Sequence, residues 1–152
     1  MTLTFLVPGA LDQLTGGYLY DRHVVEGLRR LGRTVHVVEL PGRHPADDMA
    51  CAAAHQALAS LPDGAIAIID GLALPAFAPC LAEQARRLRL IGFIHHPLSL
   101  ETGLAPAEAR RYAALEARLW PLLHGALCPS AHTARALTAA GLANDRVAVV
   151  KP

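Results

Sequence analysis

The chain has 152 residues, 53% of them apolar and 18% charged, which suits one globular domain with a core of its own. A net charge of +1, with eight scattered histidines, excludes the strongly basic surface of a protein built around nucleic acid or an acidic membrane. Three separated cysteines, Cys51, Cys80 and Cys128, exclude a disulfide framework and a zinc knuckle, and point to reduced thiols in the cytoplasm.

In chain order, Leu3, Phe5, Leu6 and Val7 form a short apolar run that reads as a first strand, with no basic leader before it. Residues 8–17 carry no apolar period and end Thr15-Gly16-Gly17. Tyr20, Val24, Leu28 and Leu31 then recur at helical spacing, with Arg22, Glu26, Arg29 and Arg30 on the other face, until Gly32 stops the helix. Val35 to Val38 begins a second strand. After a loop at 41–45, Asp47 is placed to cap an alanine-rich helix running through Ala53, Ala57 and Leu61. Pro62-Asp63-Gly64 is a turn, and residues 65–69 a third strand that ends at Asp70-Gly71. Pro75 fits the first turn of a helix with Phe77, Leu81, Ala85 and Leu88 on one face. Asp70, Pro75 and Pro79 make the apolar window 65–82 a strand, loop and helix rather than a membrane span.

Residues 90–94 form a fourth strand that runs into His95-His96-Pro97, and the loop to Ala105 holds Glu101-Thr102-Gly103. Pro106 opens a longer helix with Tyr112, Leu115, Leu119 and Leu122 on one face, ended or kinked at Pro121. Residues 125–128 are a fifth strand, Ser130 caps another helix that Gly141 stops, and residues 147–150 are a sixth strand. Strand and helix alternate six times. The strands are continuous apolar runs, as parallel strands covered on both faces must be. The expected fold is a Rossmann-like doubly wound parallel α/β sheet of about six strands with helices on both faces.

Ligands of such sheets bind outside the carboxyl ends of the strands, so the residues that follow each strand are the candidates. Glycines at a helix N-terminus clear Cβ atoms from free N–H groups and their partial positive charge, so Gly16 and Gly17 suit a phosphate or a sugar, or a plain turn; Thr15 could cap the helix. The dinucleotide pattern G-x-G-x-x-G and a Walker lysine are both absent. His95 and His96 follow a strand directly, where an imidazole can exchange hydrogen bonds or a proton with a hydroxyl near neutral pH; one of the two is expected to face the cleft. They do not converge on one ion, and no acidic or cysteine partner sits at a metal-ligand spacing, so no metal is expected. Glu101 reads as a sugar-hydroxyl partner or a solvated loop carboxylate, Asp70 as the cap of the turn after it, and Ser130 as an N-cap. Arg22, Arg29, Arg30, Arg86 and Arg87 read as solvated helix faces. No G-x-S-x-G elbow and no paired glycosidase carboxylates are evident.

Four segments taken in order carry a resemblance. They are Phe5 to Leu31 with Gly16-Gly17; Phe93-Ile94-His95-His96-Pro97-Leu98 with Glu101-Thr102-Gly103; Leu127-Cys128-Pro129-Ser130 with Thr133 and Leu137; and Arg146 to Pro152. With the Glu116/Arg118 pair in the helix before, this set resembles the N-terminal domain of family-four (group 1) retaining glycosyltransferases. The resemblance implies a GT-B architecture, in which two Rossmann-like domains face each other, the N-terminal one holding mainly the acceptor and the C-terminal one the nucleotide-sugar donor. It implies that Gly16 and Gly17 line the cleft, that His95 lies near the reacting sugar, and that His96, Glu101, Thr102 and Ser130 contact substrate. No catalytic metal or other cofactor is implied; the acceptor would be a sugar, a lipid or a small molecule.

Cys128-Pro129 departs from the family, which more often has a β-branched or small residue followed by Ser or Thr. The donor domain lies outside residues 1–152, so this single domain is expected to be inactive alone and open to self-association through its exposed cleft. The expected location is the cytoplasm, at most peripheral to the inner face of the membrane, although no strongly basic amphipathic helix is evident. Two other readings remain: a nucleotide-binding Rossmann domain of an oxidoreductase or epimerase, disfavoured by the missing third glycine and the long loop, and a non-catalytic α/β binding module.

Overall fold

A computed structural model describes residues 1–13 and 16–152. Six strands, β1 (Thr2–Pro8), β2 (Thr34–Leu40), β3 (Ile66–Asp70), β4 (Arg89–Phe93), β5 (Gly125–Cys128) and β6 (Val147–Val149), form one sheet in the order β2-β1-β3-β4-β5-β6, with every pairing parallel. The helices are α1 (Gly16–Arg30), α2 (Asp48–Ala59), α3 (Leu81–Gln84), α4 (Pro106–Leu119) and α5 (Ala131–Ala139). This is the expected Rossmann-like doubly wound α/β fold.

The side-chain alternation of the strands splits the core in two. Leu3, Phe5 and Val7 of β1 pack with Tyr20 and Val25 of α1, Val35, Ile68 and Phe93. Leu6, in opposite phase, belongs to a larger cluster with α2, the segment after β3, Trp120–Leu123 and α5. The chain leaving β1 therefore turns to one face of the sheet and the chain leaving β3 to the other. Neighbouring strands whose connections diverge open a crevice at their carboxyl ends, which is where such sheets bind ligands.

The caps follow the sequence. Asp47 Oδ1 accepts from the Ala50 N–H at 2.8 Å and Ser130 Oγ from the Thr133 N–H at 3.1 Å, while Gly32 and Gly141 end their helices at φ +77° and +104°.

Several expectations need correction. The helix expected from Pro75 is broken: Leu74–Phe77 is a 3₁₀ turn and only Leu81–Gln84 is α-helical. Pro79 has no N–H to give and its ring clashes with the carbonyl four residues back. In α2 the buried stripe is Ala50, Ala54 and Leu58, with Ala53, Ala57 and Leu61 packed at its edge. Leu31 is 77% exposed, beyond the end of α1. Arg87 is no solvated arginine: Nη1 and Nη2 donate to the Leu61 and Leu58 carbonyls at 2.6 and 2.7 Å, and Nε to Gln84 Oε1 at 2.8 Å, tying the end of α2 to the segment before β4. Arg29 likewise donates to the Val35 carbonyl. Among the described residues no helix is long and apolar enough to cross a membrane.

Candidate functional site

The crevice between β1 and β3 holds a cavity of about 190 Å³ lined by residues from three strand ends and α1, including Pro8, Gly17, Tyr18, Asp21, Asp70, Gly71, His95, His96 and Glu101. At its centre is His95. The strand before it is pinned by Ile94 N–H donating to the Leu127 carbonyl at 2.8 Å. The imidazole stands edge-on to Phe93 and Tyr20, with ring centroids 4.9 and 5.5 Å away. Its backbone carbonyl accepts from Thr133 Oγ1 at 3.3 Å.

Two carboxylates meet the same ring nitrogen. His95 Nε2 lies 2.7 Å from Asp21 Oδ1 and 3.2 Å from Asp70 Oδ2. Asp70 also caps its turn as expected, Oδ1 accepting from the Leu72 N–H at 2.7 Å. The side chains of Asp21 and Asp70 are buried, at 1% and 6% exposed, whereas that of His95 keeps 25%. Burial works against the imidazolium, but the hydrogen bonds and negative charges of the two aspartates outweigh it and push His95 up to about 9. Burial first, and then the charge of Asp70, push Asp21 up to about 7 against the pull of His95. Near neutral pH the ring is therefore charged, and Asp21 and His95 titrate as a coupled pair.

One ligand atom from each of Asp21, Asp70 and His95 lies within 4.8 Å of the others, a donor set that sequence spacing did not show. Two ligands about 2.0–2.2 Å from one ion would sit roughly 2.8–3.6 Å apart at octahedral or tetrahedral angles. The 2.7 Å between Nε2 and Asp21 is instead the distance of a shared proton.

The other predicted residues divide. His96 is exposed and lines the same cavity as His95, so both strand-end histidines face the crevice rather than one. Glu101 lines it from the loop after β4, while Thr102 is exposed and outside it. Gly17 lines it and Gly16 does not; both sit in the first turn of α1, where an added Cβ would meet nothing within 4 Å. Neither packing nor backbone geometry calls for these two glycines, and room for a ligand is a physical reason for them. Thr15 lies outside the described residues. Ser130 is outside the cavity and caps α5, which brings Thr133 to the His95 carbonyl.

Sequence reasoning missed Asp21 and Tyr18 as site-shaping residues, and named Glu116 only within the Glu116/Arg118 pair that carries the resemblance. Tyr18 donates its hydroxyl to the Pro8 carbonyl across the mouth of the loop. Glu116, buried on α4, anchors the other wall. Oε1 accepts from the Leu98 N–H at 2.5 Å and Oε2 from Ser99 Oγ at 2.6 Å. The signal for Asp21 was its phase: it follows Tyr20 and precedes Val25 by four, so it falls on the core-facing stripe.

A family model described as Glycosyl transferase 4-like domain matches residues 8–152. The chain belongs to this family. No curated protein matches it. His95 and Gly17 line the same crevice.

Proposed function

We propose that this glycosyltransferase 4-like domain is the acceptor-side half of a retaining GT-B hexosyltransferase, moving a sugar from a nucleotide-sugar donor to an acceptor hydroxyl. The observation that carries the reading is His95, held by two aspartates in the β1/β3 crevice beside Gly17. An oriented imidazolium there can donate to an oxygen of the reacting sugar, with the donor diphosphate toward the α1 N-terminus and a second, donor-binding domain. No metal or other cofactor takes part in this scheme. Leu72 and Leu100, 39% and 54% exposed and both in loops that reach the crevice, suit a face that docks such a domain or, without it, a second copy of the chain. The free thiols suit the cytoplasm.

The test is a transfer assay over a panel of nucleotide diphospho-hexoses and hydroxyl acceptors, with the chain alone and with its donor-binding domain. The two-domain protein should transfer with retention at the anomeric carbon, and His95→Ala should cost about 10²–10³ in kcat. Turnover by the chain alone overturns the half-site reading, and an inverted product overturns retention. A rise in melting temperature with NAD(H) or NADP(H), and none with nucleotide sugars, points instead to the oxidoreductase class.

A further inference from the structure

Asp21 is a carboxylate where α1 calls for an apolar side chain. A buried carboxylate is costly unless it is paired and hydrogen-bonded, and Asp21 is poorly supplied: Oδ1 takes the His95 bond, while Oδ2 is buried with no donor N–H among the described residues and only the Asp70 carboxyl beside it. Asp70 aims its Oδ2 at the same nitrogen. Two buried acceptors from different elements thus converge on one N–H of one ring. Such convergence fixes the orientation of an imidazole: with Nε2 committed as donor, Nδ1 is the nitrogen left for a ligand. Phe93 and Tyr20 stop the ring from tilting, and the side chain keeps its exposure toward the cavity.

The charges around the ring are these. Tyr18, Tyr20 and Asp21 face it from α1, Asp70 from the end of β3, and His96 from its own segment; Glu101 stands in the cavity wall, and among the described residues no lysine or arginine lines the cavity. Asp70, and Asp21 in the part that is ionised, offset the one positive charge of the ring, and Glu101 adds a negative one. The site can donate a hydrogen bond without presenting net positive charge.

We propose that Asp21 and Asp70 are positioning residues that make His95 Nδ1–H a fixed hydrogen-bond donor to an uncharged ligand oxygen, a sugar or alcohol hydroxyl, and that their charge keeps phosphate away from that point. His95 then works as a donor, not as a general base, because a base needs an unprotonated Nδ1 at working pH. That the hydroxyl belongs to a sugar rests on the function proposed above; the state of the ring does not.

Nitrogen-15 NMR of histidine-labelled full chain reads this directly, with His95 assigned by the signal lost in His95→Gln. Near neutral pH both ring nitrogens should be protonated, with a midpoint well above the usual value of about 6.5. Asp70→Asn, which keeps an acceptor for the Leu72 N–H, should lower that midpoint by about one unit or more, and Asp21→Asn likewise. About 20 mM inorganic phosphate should leave the His95 signals in place, which corresponds to no site tighter than that concentration. A neutral ring near pH 7, a midpoint unmoved in folded Asp70→Asn, or a saturable phosphate shift at His95 overturns the proposal. Because neither donor nor acceptor is present, a failed transfer assay leaves this result standing, and a failed NMR test leaves the transferase reading standing.

Discussion

Removing Glu116 should release one wall of the crevice from the body of the domain. Its carboxylate, 7% exposed, accepts from the Leu98 N–H at 2.5 Å and Ser99 Oγ at 2.6 Å, with a longer contact of 3.4 Å from the Ser99 N–H. Hydrogen bonds to a charged group contribute about 1.5–3 kcal/mol each, and an amide left unpaired in a part-buried place adds a desolvation cost of its own. Glu116→Ala loses both short bonds and should destabilise the domain by about 3–5 kcal/mol. Glu116→Gln keeps the shape and one acceptor oxygen for Leu98, so it should cost only about 1–2 kcal/mol. Urea unfolding measures the two losses. Hydrogen exchange tests their location: the Leu98 amide should lose protection in the alanine variant while the β1 amides keep theirs up to the global limit. Leu98 and Glu101 both line the cavity, so the same variant should weaken any ligand that spans it. A loss below about 1 kcal/mol in Glu116→Ala, with Leu98 still protected, would refute the anchoring argument.

Two more expectations bear on the same crevice. Stability should fall as pH rises across the titration of Asp21 and His95. His95 moves from 6.5 to about 9 on folding, so its contribution is full below 6.5 and is lost as pH passes 9; Asp21 moves from 3.8 to about 7, so its contribution is full below 3.8 and is lost as pH passes 7. The His95 part is at most on the order of 3 kcal/mol, since one unit is worth 1.36. The stability difference between wild type and Asp21→Asn, followed by urea unfolding at a series of pH values, should therefore shrink from pH 4 to 7; a difference that grows would contradict the burial argument. Glycines supply a contrast. A Cβ at Gly125 would stand 2.8 Å from the Arg146 carbonyl oxygen, so Gly125→Ala should cost about 1–3 kcal/mol at the β5/β6 edge. Gly17→Ala meets nothing and should raise stability by up to about 1 kcal/mol in thermal unfolding, yet weaken binding of a nucleotide sugar to the two-domain protein. Unchanged binding there removes the ligand-space explanation for that glycine.

The inner strands β1, β3, β4 and β5 were legible because each is largely an apolar run buried on both faces, whereas the edge strands β2 and β6 keep exposed positions. The 3₁₀ break before α3 was legible in principle, since Pro79 stands inside the helical period and cannot donate; apolar spacing alone overruled it. Arg87 was misread because spacing tells which face a side chain leaves from, and not where a long guanidinium comes to rest against the next loop.

The site divides along the same line. His95 and Asp70 were visible as positions, because the carboxyl end of a strand is a candidate whatever residue occupies it. Asp21 lies on a helix, and no positional rule selects it. What selects it is a conflict between levels, a charge on the stripe that faces the core, of the kind expected at functional sites. Ser130 shows the opposite case. As a cap it belongs to the helix, yet the Thr133 that its hydroxyl binds in turn donates to the His95 carbonyl. The cap of α5 and the crevice thus share one chain of hydrogen bonds, so a residue read twice from sequence, as N-cap and as candidate site residue, reaches the crevice by doing the first of these.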